Sequence, residues 1–378
     1  MNIAIIGAGI GGLTTAIALR KIGIYAHVFE QATTFQPIGA GIGIGSNAML
    51  ALQNLGVASE ILAAGMPLHE QRFYNSNMQL MNTIDFTLLK KRFGEETIAI
   101  QRADLHAALF NAIDSKYIHL NHRVTHFSKH SSTVSVTFND SIVKKFDYVI
   151  AADGLHSIFR QKLIPESKPR YANYTCWRGI TENVKNIQPH VSSEAWATFG
   201  RFGWAPLKDN AVYWFACINA PENDKQFHNF DKRAVAKHFS RYSKTVEQII
   251  LRTENEYFLH HDLYDIKPIK NYAHENVLLL GDAAHATTPN MGQGAGQAIE
   301  DAYVLMETLK EVPSINDAFK LYEKKRWKKT KKVITLSRQI GWAAQWSHPL
   351  LVKARDTIFP FIPKQLLFWR LTFLFKDT

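Results

Sequence analysis

Residues 2–30 restrict the fold more than any other stretch. Positions 2–6 are apolar and read as a short strand. Gly7-Ala8-Gly9-Ile10-Gly11-Gly12 follows, positions 13–20 carry a helical pattern, and 25–29 read as a second strand ending at Glu30. Strand, glycine turn, helix and strand in that order form a crossover unit, which belongs in a buried parallel sheet. Gly7 permits the tight turn, Gly9 lets bare backbone approach a pyrophosphate, and Gly12 lets the helix pack close to the strand. Glu30 stands about 20 residues on, where an acid binds ribose hydroxyls and disfavours a 2′-phosphate. With Gln31 beside it, the unit is expected to hold the adenosine of FAD or NAD rather than of NADP. A glycine-rich turn without a ligand is the plainer alternative.

A second stretch of the same texture lies at 277–309. The apolar run 277–280 reads as a buried strand, Asp282 stands at its end, and Pro289 leads into a loop holding Gly292, Gln293, Gly294, Ala295 and Gly296. From Gln297 the apolar residues recur at helical spacing. A strand topped by an acid, then a glycine loop feeding a helix N-terminus, suits sugar hydroxyls and negative charge. A third strand end lies within 146–160, at Asp153-Gly154, with Ser157 and Arg160 beyond. Capping of a turn by Asp153 and a left-handed Gly154 would explain that motif without a ligand.

Between these motifs, 37–47 holds four glycines, Gly43 among them, and reads either as backbone lying against a flat ring or as a flexible loop. Helices are expected at 48–55, 58–64 and 102–112, the last opened by Arg102. A hairpin is expected at 70–75 and 79–86, and strands at 97–101, 117–127 and 133–138. From 171 to 267 aromatic-rich, strand-like segments predominate, with helical stretches at 232–240 and 246–252. They predict a mostly antiparallel sheet inserted into the nucleotide-binding unit. Trp177, Trp196, Trp204, Tyr213 and Trp214 are candidates to line an apolar pocket. After Asp301 the chain reads as helix to about Trp346.

With 378 residues, 46% of them hydrophobic, the chain can bury a large core. Its net charge of +11 admits nucleic acid, anionic membranes or anionic small molecules as partners. The one dense basic run, KKRWKKTKK at 324–332, comes with no nucleic-acid motif and reads as a solvated helix face. Cys176 and Cys217 suit neither a zinc site nor a redox pair, so free thiols in a reducing compartment are expected. No basic segment precedes the apolar N-terminus, which therefore reads as mature structure, and no run has the length of a membrane span. A cytoplasmic location follows. The tail 359–375 is crowded with large apolar residues. Those lie nearly all round a helix, which favours packing on the protein over contact with a membrane.

The three signals in this order, GAGIGG…E, DG…S…R and GDAAH…P…G-x-G, resemble the FAD-dependent aromatic hydroxylases. These are single-component class A flavoprotein monooxygenases, similar in layout to p-hydroxybenzoate hydroxylase. The resemblance covers about residues 1–330 and implies an α/β fold: a Rossmann-like FAD-binding domain (1–73, 97–171 and 268–330), an inserted mostly antiparallel substrate sheet (74–96 and 172–267) and C-terminal helices (331–378). It assigns the FAD pyrophosphate to Gly7, Gly9, Gly11 and Gly12, and the adenosine ribose to Glu30. Arg102 is assigned a cofactor contact, Val124 the adenine side, and Asp153 both FAD and NAD(P)H. Asp282 takes the ribityl chain, and Pro289 with 292–296 the flavin ring. It further implies reduction by NAD(P)H without a second nucleotide-binding unit, and O2 activation as a flavin C4a-hydroperoxide that oxygenates a small aromatic or heteroaromatic substrate. His285 is expected to be a structural hydrogen-bonder. Phe199-Gly200-Arg201 and Tyr213, with Trp177-Arg178-Gly179, resemble the urate hydroxylase branch, which makes Arg201 and Tyr213 the substrate-site candidates; a salt-bridged, purely structural Arg201 is the alternative. Two other readings stand beside this one: a flavoenzyme of the same fold with another reaction, such as a halogenase, of whose motif Trp204-Ala205-Pro206 is a fragment; or a non-catalytic FAD-binding module.

Overall fold

The computed structural model describes residues 1–34, 39–185 and 187–375. β1 (Ile3–Ile6), α1 (Ile10–Lys21) and β2 (His27–Phe29) form the expected N-terminal unit. β3 (Gly41–Ile44) and α2 (Ser46–Leu55) follow, then α3 (Ala58–Ala64), β4 (Met66–Leu68), β5 (Glu70–Tyr74), β6 (Leu80–Asp85) and α4 (Thr87–Phe93). The glycine stretch expected as a loop at 37–47 is therefore largely strand and helix start, with its first two residues outside the described ones. Gly41–Ile44 pairs antiparallel with β7 (Thr97–Gln101), and Gly41 is required there because a Cβ would lie 2.4 Å from that of Tyr213. Next come α5 (Arg102–Asn111), β8 (Ile118–His119), β9 (Val124–Lys129), β10 (Val134–Phe138), β11 (Ile142–Phe146), β12 (Tyr148–Ala151) and α6 (Ile158–Leu163).

The insertion is built from β13 (Pro169–Thr181), β14 (Val191–Ala197), β15 (Gly200–Pro206), β16 (Val212–Asn219), α7 (Lys225–His228), α8 (Lys232–Phe239), α9 (Lys244–Arg252) and β17 (Leu259–Ile266). The chain returns through β18 (Ala273–His274), β19 (Val277–Leu279), α10 (Asp282–His285), α11 (Gly294–Glu311) and α12 (Ile315–Ala344), and ends in α13 (Pro349–Ile358) and α14 (Lys364–Leu371).

Two large sheets result. One has the order β18-β19-β12-β1-β2-β8, with β1, β2, β12 and β19 parallel. Its central strands are buried throughout, as expected of continuous apolar runs covered on both faces. α1 is buried nearly all round because it lies between this sheet and α11, and its small residues let the two helices approach. The other sheet has the order β17-β13-β16-β15-β14-β5-β6 and is antiparallel except where β14 runs parallel to β5. On one face, Trp177, Phe202 and Trp214 pack with Val235 and Phe239 of α8 and Ile249 and Ile250 of α9. Side chains of the opposite parity (Tyr174, Cys176, Arg178 and, across the ladder, Phe215, Cys217 and Arg201) share the other face.

The basic run 324–332 departs from its expected role. It lies in α12, and while Lys324, Lys328, Lys331 and Lys332 are solvated, Arg326 and Lys329 are buried one turn apart on the inner face. Arg326 donates to Glu300 (2.6 Å), Asp301 (2.6 Å) and the Gln297 side chain (2.8 Å), and Lys329 pairs with Glu300 at 2.7 Å. Two acids on α11 thus meet two bases on α12, which satisfies charges that would otherwise be costly to bury.

Candidate active site

The C-terminal ends of β1, β12 and β19 lie side by side, and each carries one of the three motifs. Gly7, after β1, has φ +100°, donates its N–H to Phe29 O at 2.8 Å, and would place a Cβ 2.5 Å from Ala152 O. Gly12 is equally constrained, since a Cβ there would lie 1.9 Å from Gly7 O. Gly11 packs against Ala298 and Leu280, joining the first motif to the third. Gly9 differs from all three: an added Cβ meets nothing within 4 Å, and the residue opens α1 with no side-chain cap and no acid in the first turn. Bare N–H groups at the start of a helix of this length make an anion cradle. Glu30 braces that turn, accepting from Ala8 N (2.8 Å) and Ala32 N (2.9 Å), with Gln31 exposed next to it. His122 N donates to Glu30 O at 2.8 Å, which brings the start of β9 and buried Val124 to this end of the groove.

Asp153, after β12, accepts from Ile158 N at 2.9 Å through Oδ2, while Oδ1 is buried without a partner among the described residues. Burial pushes this carboxyl up, against the hydrogen bonds it accepts from Ser157 and Ile158. Ser157 caps α6, accepting from Arg160 N. Arg160 is fully buried and donates to the carbonyls of Leu155, Asp282 and Ala283, clamping the second motif to the third. At the end of β19, Gly281 has φ +62° and Asp282 presents an exposed carboxylate that accepts no side-chain hydrogen bond among the described residues. The surrounding walls raise its carboxyl, opposed by His285, Arg102 and Arg160. Arg102 opens α5, with its N–H on Ala40 O and its stem packed where Gly39 lacks a Cβ.

The loop 289–296 divides into two kinds of position. Pro289 is exposed, Gly292 is left-handed at φ +61° and faces open space, and at Gly294 an added Cβ would only touch Thr287 at 3.8 Å. Gln293 is instead buried, bonded to Asn47 (3.0 Å) and Gln297 (3.1 Å), and Gly296 lies against Ala48 of α2. Ala295 packs on the core. These three fix the loop to the protein. At Gly43, in β3, an added Cβ meets nothing within 4 Å. His285 is buried and bonded to Asp301 at 2.5 Å, a structural partner as the sequence suggested. Asp301 also accepts from Gly281 N at 3.0 Å. Burial alone would raise its carboxyl, but His285 and Arg326 hold it at about 2.

The opposite wall is the free face of the second sheet. Arg201 is 2% exposed, pairs with Glu194 at 3.0 Å and donates to Asn290 of the 289–296 loop. Its guanidinium lies over the rings of Tyr174 (5.4 Å) and Phe215 (5.8 Å), and its Nε has no hydrogen-bond partner among the described residues. Arg201 is salt-bridged, as the structural alternative expects, and it also joins the sheet to the 289–296 loop. Tyr213 packs against Gly41 of β3; burial pushes its phenol up, with Arg178 opposing, so it is neutral at physiological pH. Cys176 and Cys217 are free and buried, directly opposite each other on β13 and β16.

Of the aromatic candidates, Trp177 and Trp214 are corrected: both point away, into the core beneath α8 and α9. Trp204 stacks on Tyr74 and Trp196 on Phe359. Sequence reasoning missed Tyr174, Glu194 and Asn290 as Arg201 partners. The alternation of β13, once phased by buried Trp177, would have put Tyr174 and Arg178 on the pocket face.

The open Gly9 turn, the orphaned Asp153 Oδ1 and the unpaired Asp282 carboxylate fit FAD: phosphates at the helix start and hydroxyls at the acids. The carboxyl ends of a parallel sheet, faced by an antiparallel sheet, are the arrangement in which a dinucleotide such as FAD lies across a fold of this kind. Residues 1–337 match the FAD binding domain family, and the chain belongs to it. It is 32% identical to the aurachin C monooxygenase/isomerase of Stigmatella aurantiaca over 95% of this chain and 93% of that one. It is 30% identical to the FAD-dependent urate hydroxylase of Klebsiella oxytoca over 90% of this chain and 89% of that protein. The structure of Klebsiella pneumoniae HpxO complexed with FAD and uric acid superposes with a TM-score of 0.90, at 25% identity, covering 99% of this chain and 96% of that one. The protein is accordingly an FAD-dependent monooxygenase.

Proposed function

We propose that this enzyme uses NAD(P)H and O2 to hydroxylate a small, planar, electron-rich heteroaromatic substrate. The observation that carries this reading is Arg201, buried between Tyr174 and Phe215 on the sheet face and bonded to Asn290 in the 289–296 loop. FAD, when bound and reduced, supplies the activation of O2. The chain's own groups do the rest. Gly9 and the start of α1 hold the pyrophosphate, Glu30 and Asp282 take ribose and ribityl hydroxyls, Arg102 and Asp153 add contacts, and Val124 borders the adenine. Pro289, Gly292 and Gly294 offer bare backbone to the flavin. Arg201, fixed by Glu194, keeps the loop and the substrate sheet at a set separation, and its Nε remains for a ring carbonyl or nitrogen. Neutral Tyr213 orients the ring by hydrogen bonding and does not act as a phenolate base at neutral pH. Tyr174 and Phe215 exclude water from the reacting face.

Relatives named for urate, for aurachin C and, in Pseudomonas aeruginosa, for 2-heptyl-3-hydroxy-4(1H)-quinolone at 29% identity support a heteroaromatic ring as the common element. The test is a panel of urate, 4-quinolones with and without an alkyl chain, and 6-hydroxynicotinate. NAD(P)H oxidation, O2 uptake and product would be measured together. A ring that stimulates oxidation with matching product supports the reading. A flavin-loaded, reducible enzyme that responds to none of these rings, yet oxygenates a non-aromatic compound, overturns it.

A further inference from the structure

We propose that the C-terminal helices form a docking surface for an anionic lipid bilayer. The tail was expected to pack on the protein, and half of it does. Phe359 stacks on Trp196 and meets Phe73 edge-on, Asn82 ties down the carbonyls of Phe359 and Ile362, and Phe373 and Leu374 are buried against Val333. Leu371 and Phe375 pack beside them, but a second set of apolar side chains is left in solvent. On α13, Val352 and Arg355 face inward, as does Phe359 just after it, while Leu350, Ala354 and Ile358 form a stripe on the opposite side. Leu350 is 71% exposed, Phe361 in the following turn 81%, and Trp369 on α14 69%, with Leu366 one turn before it also exposed. Trp342, at the end of α12, is 67% exposed, and Arg355 of α13 holds the adjacent carbonyls of Ala343 and Ala344. Large aromatic and aliphatic residues concentrated in this way exceed the scattered exposure normal for a surface.

The charges around the stripe select the partner. Lys353, Lys364 and Arg370 are exposed among the apolar residues, and the one acid in described residues 349–375, Asp356, is paired with Arg355 at 2.8 Å. The solvated lysines of α12, Lys328, Lys331 and Lys332, extend the positive field, in a chain carrying +11. An anionic bilayer matches both properties: apolar side chains enter the interface while cationic heads stay with the phosphates. No described helix is long and apolar enough to cross a membrane, so the contact is with the surface.

The test is flotation of the full-length, FAD-loaded enzyme with vesicles of phosphatidylcholine alone or mixed with phosphatidylglycerol. Binding is expected to the anionic vesicles and to weaken with salt. Phe361→Ser with Trp369→Ser should lower partitioning by at least about tenfold. Lys364→Gln with Arg370→Gln should lower it by about fivefold per charge removed. Flavin content and melting temperature of each variant, with the salt series on the unaltered chain, separate lost docking from lost folding. The proposal is overturned if the wild type ignores anionic vesicles or if the variants bind as well as it does. It is equally overturned if the apolar variant abolishes a concentration-dependent dimer in the absence of any vesicle binding, which would make the surface a contact between copies.

Discussion

Two glycines three residues apart in the N-terminal turn should fail in opposite ways when substituted. At Gly9 the backbone is φ −70°, ψ 179°, open to any residue, and an added Cβ meets nothing within 4 Å. Gly9→Val should therefore leave the apoprotein's stability within about 1 kcal/mol of wild type, since no contact is lost and no strained dihedral is demanded. Its methyl groups extend into the space assigned to pyrophosphate. Losing two charge-assisted hydrogen bonds there, at about 1.5–3 kcal/mol each, weakens FAD binding by about 10²–10⁴-fold. At Gly12 the Cβ would lie 1.9 Å from Gly7 O. Gly7 is itself pinned by Phe29 O and crowded by Ala152 O, so the turn has nowhere to retreat. Gly12→Ala should cost about 3 kcal/mol or more in the apoprotein, at the upper end of overpacking penalties. The assay is paired: chemical denaturation of the apoproteins, and FAD titration followed by quenching of flavin fluorescence. The reasoning is refuted if Gly9→Val binds FAD like wild type, or if apo Gly12→Ala is as stable as the unaltered chain.

Other outcomes follow from the buried charges. Arg326→Met leaves Glu300 and Asp301 buried with reduced compensation and should destabilise the protein by about 3–5 kcal/mol; a loss below about 1 kcal/mol in denaturant titration would show that the network is dispensable. Asp301, held at about 2, lies below its unfolded value near 3.8. Its contribution, about 2 kcal/mol, is therefore fully present above pH 4 and lost as pH falls towards 2. Asp301→Asn should flatten that acid limb of the stability curve, and an unchanged limb would contradict the assignment. Arg201→Ala should keep FAD bound but raise substrate KM or divert NAD(P)H oxidation to peroxide; unchanged coupling with the true substrate would return Arg201 to a structural role.

The motifs that topped β1, β12 and β19 were legible because each combines an apolar run with residues that only a strand end needs: Gly7 and Gly281 for positive φ, Asp153 and Asp282 for polar groups. The second sheet was legible from aromatic alternation, but not which face looked at the cofactor. That depends on where α8 and α9 pack, and they cover Trp177 and Trp214 instead of leaving them in the pocket. Gly41–Ile44 was misread as a loop because glycines lower strand propensity; the strand is held by its pairing with β7, and Gly41 stands there because Tyr213 comes too close for a side chain. Lys329 and Arg326 were read as solvated because a run of cations gives no hint that Glu300 and Asp301, a helix away, face it. The tail packs in part as expected: Phe359, Phe373 and Leu374 meet the protein, while Leu350, Phe361 and Trp369 stay exposed.

The claim that this chain is an FAD-dependent monooxygenase is tested most directly by the origin of the oxygen in its product. With the best ring from the substrate panel, turnover would be run under isotopically heavy O2 in ordinary water, and again under ordinary O2 in heavy-oxygen water, with the product analysed by mass spectrometry. One heavy oxygen per product molecule in the first experiment and none in the second is the expected result. Product oxygen drawn from water, or product formed at the same rate without O2, would contradict it.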